Sequence, residues 1–191
     1  LAPSPGETVI DVAGKLVIPG FVNAHYHSHD VLSKGLVEQL PLEIWSLFSR
    51  IGDARNRREE VRTRTLIGAW ECLRNGVTTL QDMNNQFPLD EDYLDVVLQA
   101  YADIGIRVVF SSAIQDVSNA HSTPYLCETM PPALFAELAG PALDWKPQVA
   151  FVEAQLKRLT PGSRFHWALG PSGPQPCSAA MLEASAELAG R

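Results

Sequence analysis

His25 and His27 are the residues of this chain whose type and spacing best suit chemistry. They flank Tyr26 directly after the apolar run Leu16-Val17-Ile18-Pro19-Gly20-Phe21-Val22-Asn23-Ala24. On a β-strand, residues two apart point to the same face. An extended His-x-His therefore aims two imidazoles at one point and turns Tyr26 away. That is half a site for a zinc-like ion, which binds imidazole nitrogen at about 2.0–2.1 Å. A catalytic ion of this kind usually takes three protein ligands and keeps one position open for water. What completes the site is therefore the main question raised by the sequence.

Other residues stand near this chemistry. His29 has the parity of His27 but lies past the expected strand end, where it lines a substrate pocket or decorates a loop. Asn23 shares the parity of His25. Gln81 and Asp82 follow a second apolar run and reach toward the same end of the fold, although Asp82 serves equally well as a turn cap. His121 lies in the long connection 115–132, as a solvated loop histidine or a substrate contact. His166, inside an apolar strand, reads as a satisfied core histidine. Pro171-Ser172-Gly173 is a turn whose backbone can approach a ligand closely. Arg55 to Arg64 alternates with Glu59 and Glu60 and reads as a solvated helix face.

These residues are positioned by an alternation of short apolar runs and longer helical stretches. Strands are expected at Phe21 to His25, Val77 to Leu80, Ile106 to Ala113 and Arg164 to Leu169. Helices are expected at Glu59 to Arg74 (with Val61, Thr65, Ala69 and Cys72 or Leu73 on one face), Glu91 to Ile104, Lys146 to Leu159 and Ser178 to Ala189. Asn75-Gly76 and Gly105 supply helix stops, and Ser178 an N-cap. Val9 to Val12 and Leu16 to Ile18 flank a turn and could form a small hairpin. Val31 to Phe48 intervenes after the first strand, partly helical and broken at Pro41. Continuous apolar strands alternating with helices predict parallel βαβ units in an α/β fold. Four such units are half of an eight-unit (β/α)8 TIM barrel, whose active site lies at the C-terminal ends of the strands. A half-barrel leaves sheet edges unpaired, so the chain is expected to be a fragment of a longer protein or to pair with a partner.

Bulk composition narrows the function classes. The 191 residues are 46% hydrophobic and 19% charged, with formal net charge −7. This is a globular composition, and its acidity argues against nucleic acid or an anionic membrane surface as partner. No apolar run approaches the roughly 20 residues of a membrane span. Cys72, Cys127 and Cys177 form no metal-binding pair and no disulfide framework, so the cytoplasm is the expected location.

The segment Ile18-Pro19-Gly20-Phe21-Val22-Asn23-Ala24-His25-Tyr26-His27 resembles the opening strand of the metal-dependent amidohydrolase superfamily, in the branch of cytosine and guanine deaminases, S-adenosylhomocysteine deaminases and triazine chlorohydrolases. Val9 to Val17, Leu36 to Trp45, Asn75 to Thr79 and Gly170 to Ser178 resemble further landmarks of that branch. The resemblance implies residues 1–16 as the end of a small β-sandwich domain and 17–191 as the N-terminal half of the barrel. It implies His25 and His27 as metal ligands, and one divalent ion, zinc first with iron as the alternative. No carboxylated Lys is available on the fourth strand, Arg164 to Leu169, which favours a mononuclear site. His29, Trp45, Gln81 and His121 are the candidate substrate contacts; the third ligand and the catalytic acid–base groups are expected beyond Arg191. A divalent ion lowers the pKa of its water from about 15.7 to about 7, so the implied activity is hydrolysis of a non-peptide C–N bond, foremost deamination of a nitrogen heterocycle. The alternatives are a dechlorinating or cyclic-amide hydrolase of the same superfamily, or an inactive metal-binding half-barrel. The expected partners are a small-molecule substrate and either a second copy or the other half of the barrel.

Overall fold

The computed structural model describes residues 3–48, 57–86, 89–158 and 164–190. Its strands are β1 (Phe21–Tyr26), β2 (Val77–Asn84), β3 (Arg107–Ile114) and β4 (Phe165–Trp167), with a short β5 (Gly170–Pro171). They form a parallel sheet in the order β1-β2-β3-β4, and β5 pairs with the end of β3. The helices are α1 (Leu42–Phe48), α2 (Arg58–Arg74), α3 (Glu91–Ile104), α4 (Asn119–Ser122), α5 (Leu126–Thr129), α6 (Pro132–Ala139), α7 (Trp145–Leu156) and α8 (Ala179–Ala189). This is the strand–helix alternation that the apolar periodicity predicts.

The core lies between the sheet and its helices. Leu80 of β2 and Val108 and Phe110 of β3 pack against Val61, Ala69 and Cys72 of α2 and Leu94, Val97 and Tyr101 of α3. The α2 face is therefore the one expected, with Cys72 inside and Leu73 at the surface. A second cluster joins Ile114 to Val152 of α7 and Met181 of α8. Alternate residues on the other face of the sheet, such as Gln81 and Val109, are half-buried, and His166 is exposed. His166 is thus not a core histidine. It pairs in register with Val109 and stands on the inner face of the sheet, away from the helices.

Several local expectations change. The turn at residues 12–15 forms, with Lys15 N–H bonded to the Val12 carbonyl at 2.9 Å, but its flanks do not pair as strands. Val9, Ile10, Leu16 and Val17 are each at least 70% exposed, and a two-stranded ribbon without an apolar surface to cover is marginal in water. Pro41 opens α1 rather than breaking a helix: its carbonyl accepts from Trp45 N–H at 2.8 Å, a role open to a residue that has no N–H to contribute. The connection 115–132 contains α4 and α5. Arg64, expected on a solvated face, is 5% exposed and hydrogen-bonded to the Tyr93 hydroxyl. Arg55 and Leu159, the expected end of the third helix, lie outside the described residues.

The Asp90 side chain caps α3, accepting from Asp92 N–H at 2.8 Å and Tyr93 N–H at 3.4 Å. Gly105 closes the helix with φ 80°, in the left-handed region. Replacing Asp90 by alanine is expected to cost about 1 kcal/mol, read as a lower midpoint in urea with an unchanged denaturant slope.

Candidate metal centre

The geometry of the His pair begins with a bulge in β1. From Asn23 to Tyr26 the chain takes three steps while β2 takes two, from Leu80 to Asp82. The extra residue falls at Ala24-His25 and changes the parity of what precedes it. Asn23 therefore faces the helices with Leu80, its Oδ1 accepting from His25 N–H at 3.2 Å, instead of sharing the inner face with His25. Tyr26 also faces the helices and packs against Gly68 of α2. His25 and His27 are left together on the inner side.

Their Nε2 atoms are 3.1 Å apart, and the rings meet edge to face with centroids 4.7 Å apart. His27 Nδ1 donates to the Met83 carbonyl at 2.7 Å. A carbonyl only accepts, so the proton of a neutral His27 sits on Nδ1 and the Nε2 lone pair faces His25. Two nitrogens bound tetrahedrally to one ion at about 2.05 Å lie about 3.3 Å apart. The separation in the structure fits that geometry within a few tenths of an ångström. The carbonyl behind His27 is the kind of outer partner that orients metal-binding imidazoles. Donor chemistry and spacing thus fit a zinc-like ion. Among the described residues, no group of three His, Cys, Asp or Glu side chains is placed to hold it.

The segment following β1 is joined to the end of β2 residue by residue. Ser28 N–H and Oγ–H donate to the two oxygens of Asp82, at 3.0 and 2.6 Å. Asn84 donates to Ser28 Oγ at 2.9 Å. Asn85 N–H donates to His29 Nδ1 at 3.1 Å. His29 accepts at Nδ1, so its proton is on Nε2, which lies 3.3 Å from Asp30 Oδ2. It has no free lone pair for an ion. Burial, reinforced by the charges of His27 and Arg64, pushes the His29 pKa down to about 3, so the ring is neutral. Burial pushes the carboxyl of Asp30 up.

The pair opens on a cavity of about 420 Å³, within the range of small-molecule sites. His25, His27, His29 and Asp30 form one wall, and Leu42, Glu43 and Trp45 of α1 another. Met83, Gln115, Asn119, Ser172 and Gln175 come from the ends of β2, β3 and β5 and the segments after them. Of the sequence candidates, His29 and Trp45 line the cavity with the His pair. Gln81 does not: it lies one layer below Met83 on the same face of β2 and donates to Ser111 Oγ at 3.2 Å. His121 is also absent from the lining. It is exposed, bonded to Ser118 Oγ at 2.8 Å and packed edge to face on Phe135. Sequence reasoning missed Asn119 and Met83. Asn119 had no flag beyond its place in a long connection, and Met83 acts through a backbone atom that every residue carries.

The chain is 32% identical over 192 residues to a 5'-deoxyadenosine deaminase of Methanothermobacter thermautotrophicus, covering 99% of this chain and 38% of that protein. It is 31% identical to a 5-methylthioadenosine/S-adenosylhomocysteine deaminase of Thermococcus kodakarensis, over 96% of this chain and 37% of that protein. The chain thus spans less than two-fifths of these relatives. Among solved structures it resembles a zinc-bound adenosine deaminase from Xanthomonas campestris, with TM-score 0.66, 24% identity and coverage of 90% of this chain and 34% of that one. It also resembles the atrazine chlorohydrolase of Arthrobacter aurescens TC1 complexed with zinc, with TM-score 0.66, 19% identity and coverage of 90% and 38%. The solved neighbours are (β/α)8-barrel proteins, and the parallel strand–helix alternation of this chain is part of such a barrel. The sequence model of the amidohydrolase family matches residues 16–191, and the chain belongs to that family.

Proposed function

We propose that the protein of which this chain is part is a metal-dependent aminohydrolase acting on an amino-bearing nitrogen heterocycle, with adenosine-like nucleosides the first substrates to test. One observation carries the reading: two imidazole nitrogens 3.1 Å apart, one set by a backbone carbonyl, open on a cavity of small-molecule size. The deaminase relatives support the choice of reaction. His25 and His27 hold one divalent ion, zinc in the first instance. When bound, such an ion makes its water acidic enough to serve as a nucleophile near neutral pH.

The other residues have binding roles in this reading. Trp45 supplies aromatic surface for a planar ring. Asp30, steadied by His29, is an acceptor for substrate N–H or O–H groups. Gln115, Asn119 and Ser172 offer polar contacts on the far wall. Residues 1–16 belong with a small β-sandwich domain, a division supported by the start of the family match at Leu16. Phe21 and Val22, 57% and 67% exposed, lie toward the surface covered by the rest of the barrel or by a second copy. Among the described residues no helix is long and apolar enough to cross a membrane.

The test is ammonia release by the full-length, zinc-loaded protein from adenosine, 5'-deoxyadenosine and 5-methylthioadenosine, with a chlorotriazine in parallel. Ammonia from a nucleoside at a rate abolished by chelation is the expected result. Chloride release without ammonia would reassign the reaction to dechlorination. Silence on both would sink the enzymatic reading.

A further inference from the structure

We propose that Asp82 is a positioning residue for the metal half-site, fixing the aim and tautomer of His27 through Ser28. The proposal rests on the reading of His25 and His27 as ligands, but its core, the control of His27, is tested without metal. Asp82 is fully buried and lies opposite Tyr26 in the parallel register. Its two oxygens accept from Ser28 N–H at 3.0 Å, Ser28 Oγ–H at 2.6 Å and the Tyr101 hydroxyl at 2.7 Å. A carboxylate withdrawn from water is costly unless donors surround it. Here two of its three donors belong to the residue that follows His27.

The lever is the peptide bond between His27 and Ser28. That unit is planar, so a hold on Ser28 N–H sets ψ of His27, which is 98° with φ −131°. With both angles set, the Cβ of His27 has a fixed direction, and its ring meets the Met83 carbonyl at 2.7 Å. Met83 is the next residue after Asp82 on the same strand. One dipeptide of β2 therefore supplies both restraints: a carboxylate to the backbone beyond His27 and a carbonyl to its ring. Asn84 adds a donor to Ser28 Oγ from the same strand. If the carboxylate is lost, ψ of His27 is free to change, Nδ1 drifts from its acceptor and the proton distributes over both ring nitrogens.

The experiment is nitrogen-15 NMR of the imidazoles in the metal-free full-length protein, with zinc titration alongside. The wild type is expected to show His27 protonated at Nδ1 alone. In Asp82→Ala the His27 signals should move toward a mixture of tautomers and zinc affinity fall by about tenfold, as for other partners of ligating imidazoles. Asp82→Asn, which keeps an acceptor for Ser28 N–H, should restore most of the Nδ1 form. Tyr101→Phe removes the third donor without touching Ser28; it should lower stability and leave the His27 tautomer unchanged. Should Asp82→Ala fail to fold, Ser28→Ala reads the same lever and should also shift the tautomer. A folded Asp82→Ala, or a folded Ser28→Ala in its place, with His27 still protonated only at Nδ1 would overturn the proposal. Full-length protein that binds no zinc, with Asp82→Ala still shifting the His27 tautomer, would count against the ligand reading and leave the role of Asp82 standing.

Discussion

His27→Ala is expected to strip the full-length protein of its zinc, from near one ion per chain to a small fraction of that, measured by elemental analysis after gel filtration. The loss should exceed about 100-fold in affinity, because even outer partners of ligating imidazoles are worth about 10–100-fold. His25→Ala should also release the ion, but the two variants are not equivalent. His27 is set in advance by the Met83 carbonyl, so little orientational freedom remains to be lost when it binds. His25 is exposed, and the ring contact shown for it is with His27 itself. Removing the pre-set ligand should therefore weaken binding more than removing the less constrained one. Trp45→Ala serves as the control: it should keep the ion and weaken substrate binding. Full retention of zinc by His27→Ala would end the ligand assignment.

Much of this site was legible in the sequence, for a physical reason. His-x-His after an apolar run states a side-chain period, and a strand converts that period into a shared face. The helix faces and stops were legible on the same grounds, as with Val61, Thr65 and Ala69 and the glycine at 105. Less legible was anything set by pairing rather than by period. The bulge at Ala24-His25 exists only relative to β2, and it turned Asn23 from the expected inner face to the helix side. Gln81 has the right parity for the cavity but stands one layer too low, since depth depends on register. His166 sits in an apolar run, yet exposure depends on what covers the sheet face. Asp82 was readable as a cap, but which turn it caps lies 54 residues earlier in the chain. That distance is spanned by the βα unit and leaves no trace in local spacing.

Gly68→Ala is expected to destabilise the chain by about 2 kcal/mol, although alanine is the better helix former by about 1 kcal/mol. An added Cβ would fall 1.7 Å from the Tyr26 hydroxyl oxygen and 2.7 Å from Val31 Cγ2. Tyr26 is wedged between β1 and α2, and overpacking of this kind costs about 1–3 kcal/mol, occasionally more. The thermal midpoint should fall by about 4–8 °C in a chain of this size. The same hydroxyl is buried with no hydrogen-bond partner among the described residues, so Tyr26→Phe should raise stability by about 1 kcal/mol. Phenylalanine also removes the shortest contact, leaving Val31 Cγ2 at 2.7 Å and the nearest ring atom at 3.0 Å from the new Cβ. The two substitutions should therefore be non-additive, with Gly68→Ala costing clearly less in the Tyr26→Phe background. Tyr26 sits between the two histidines, so its displacement in Gly68→Ala twists the backbone on both sides. Zinc affinity should fall with stability in that variant and recover in part in the double variant. An equal cost for Gly68→Ala in both backgrounds would show that the helix does not read the strand through this contact.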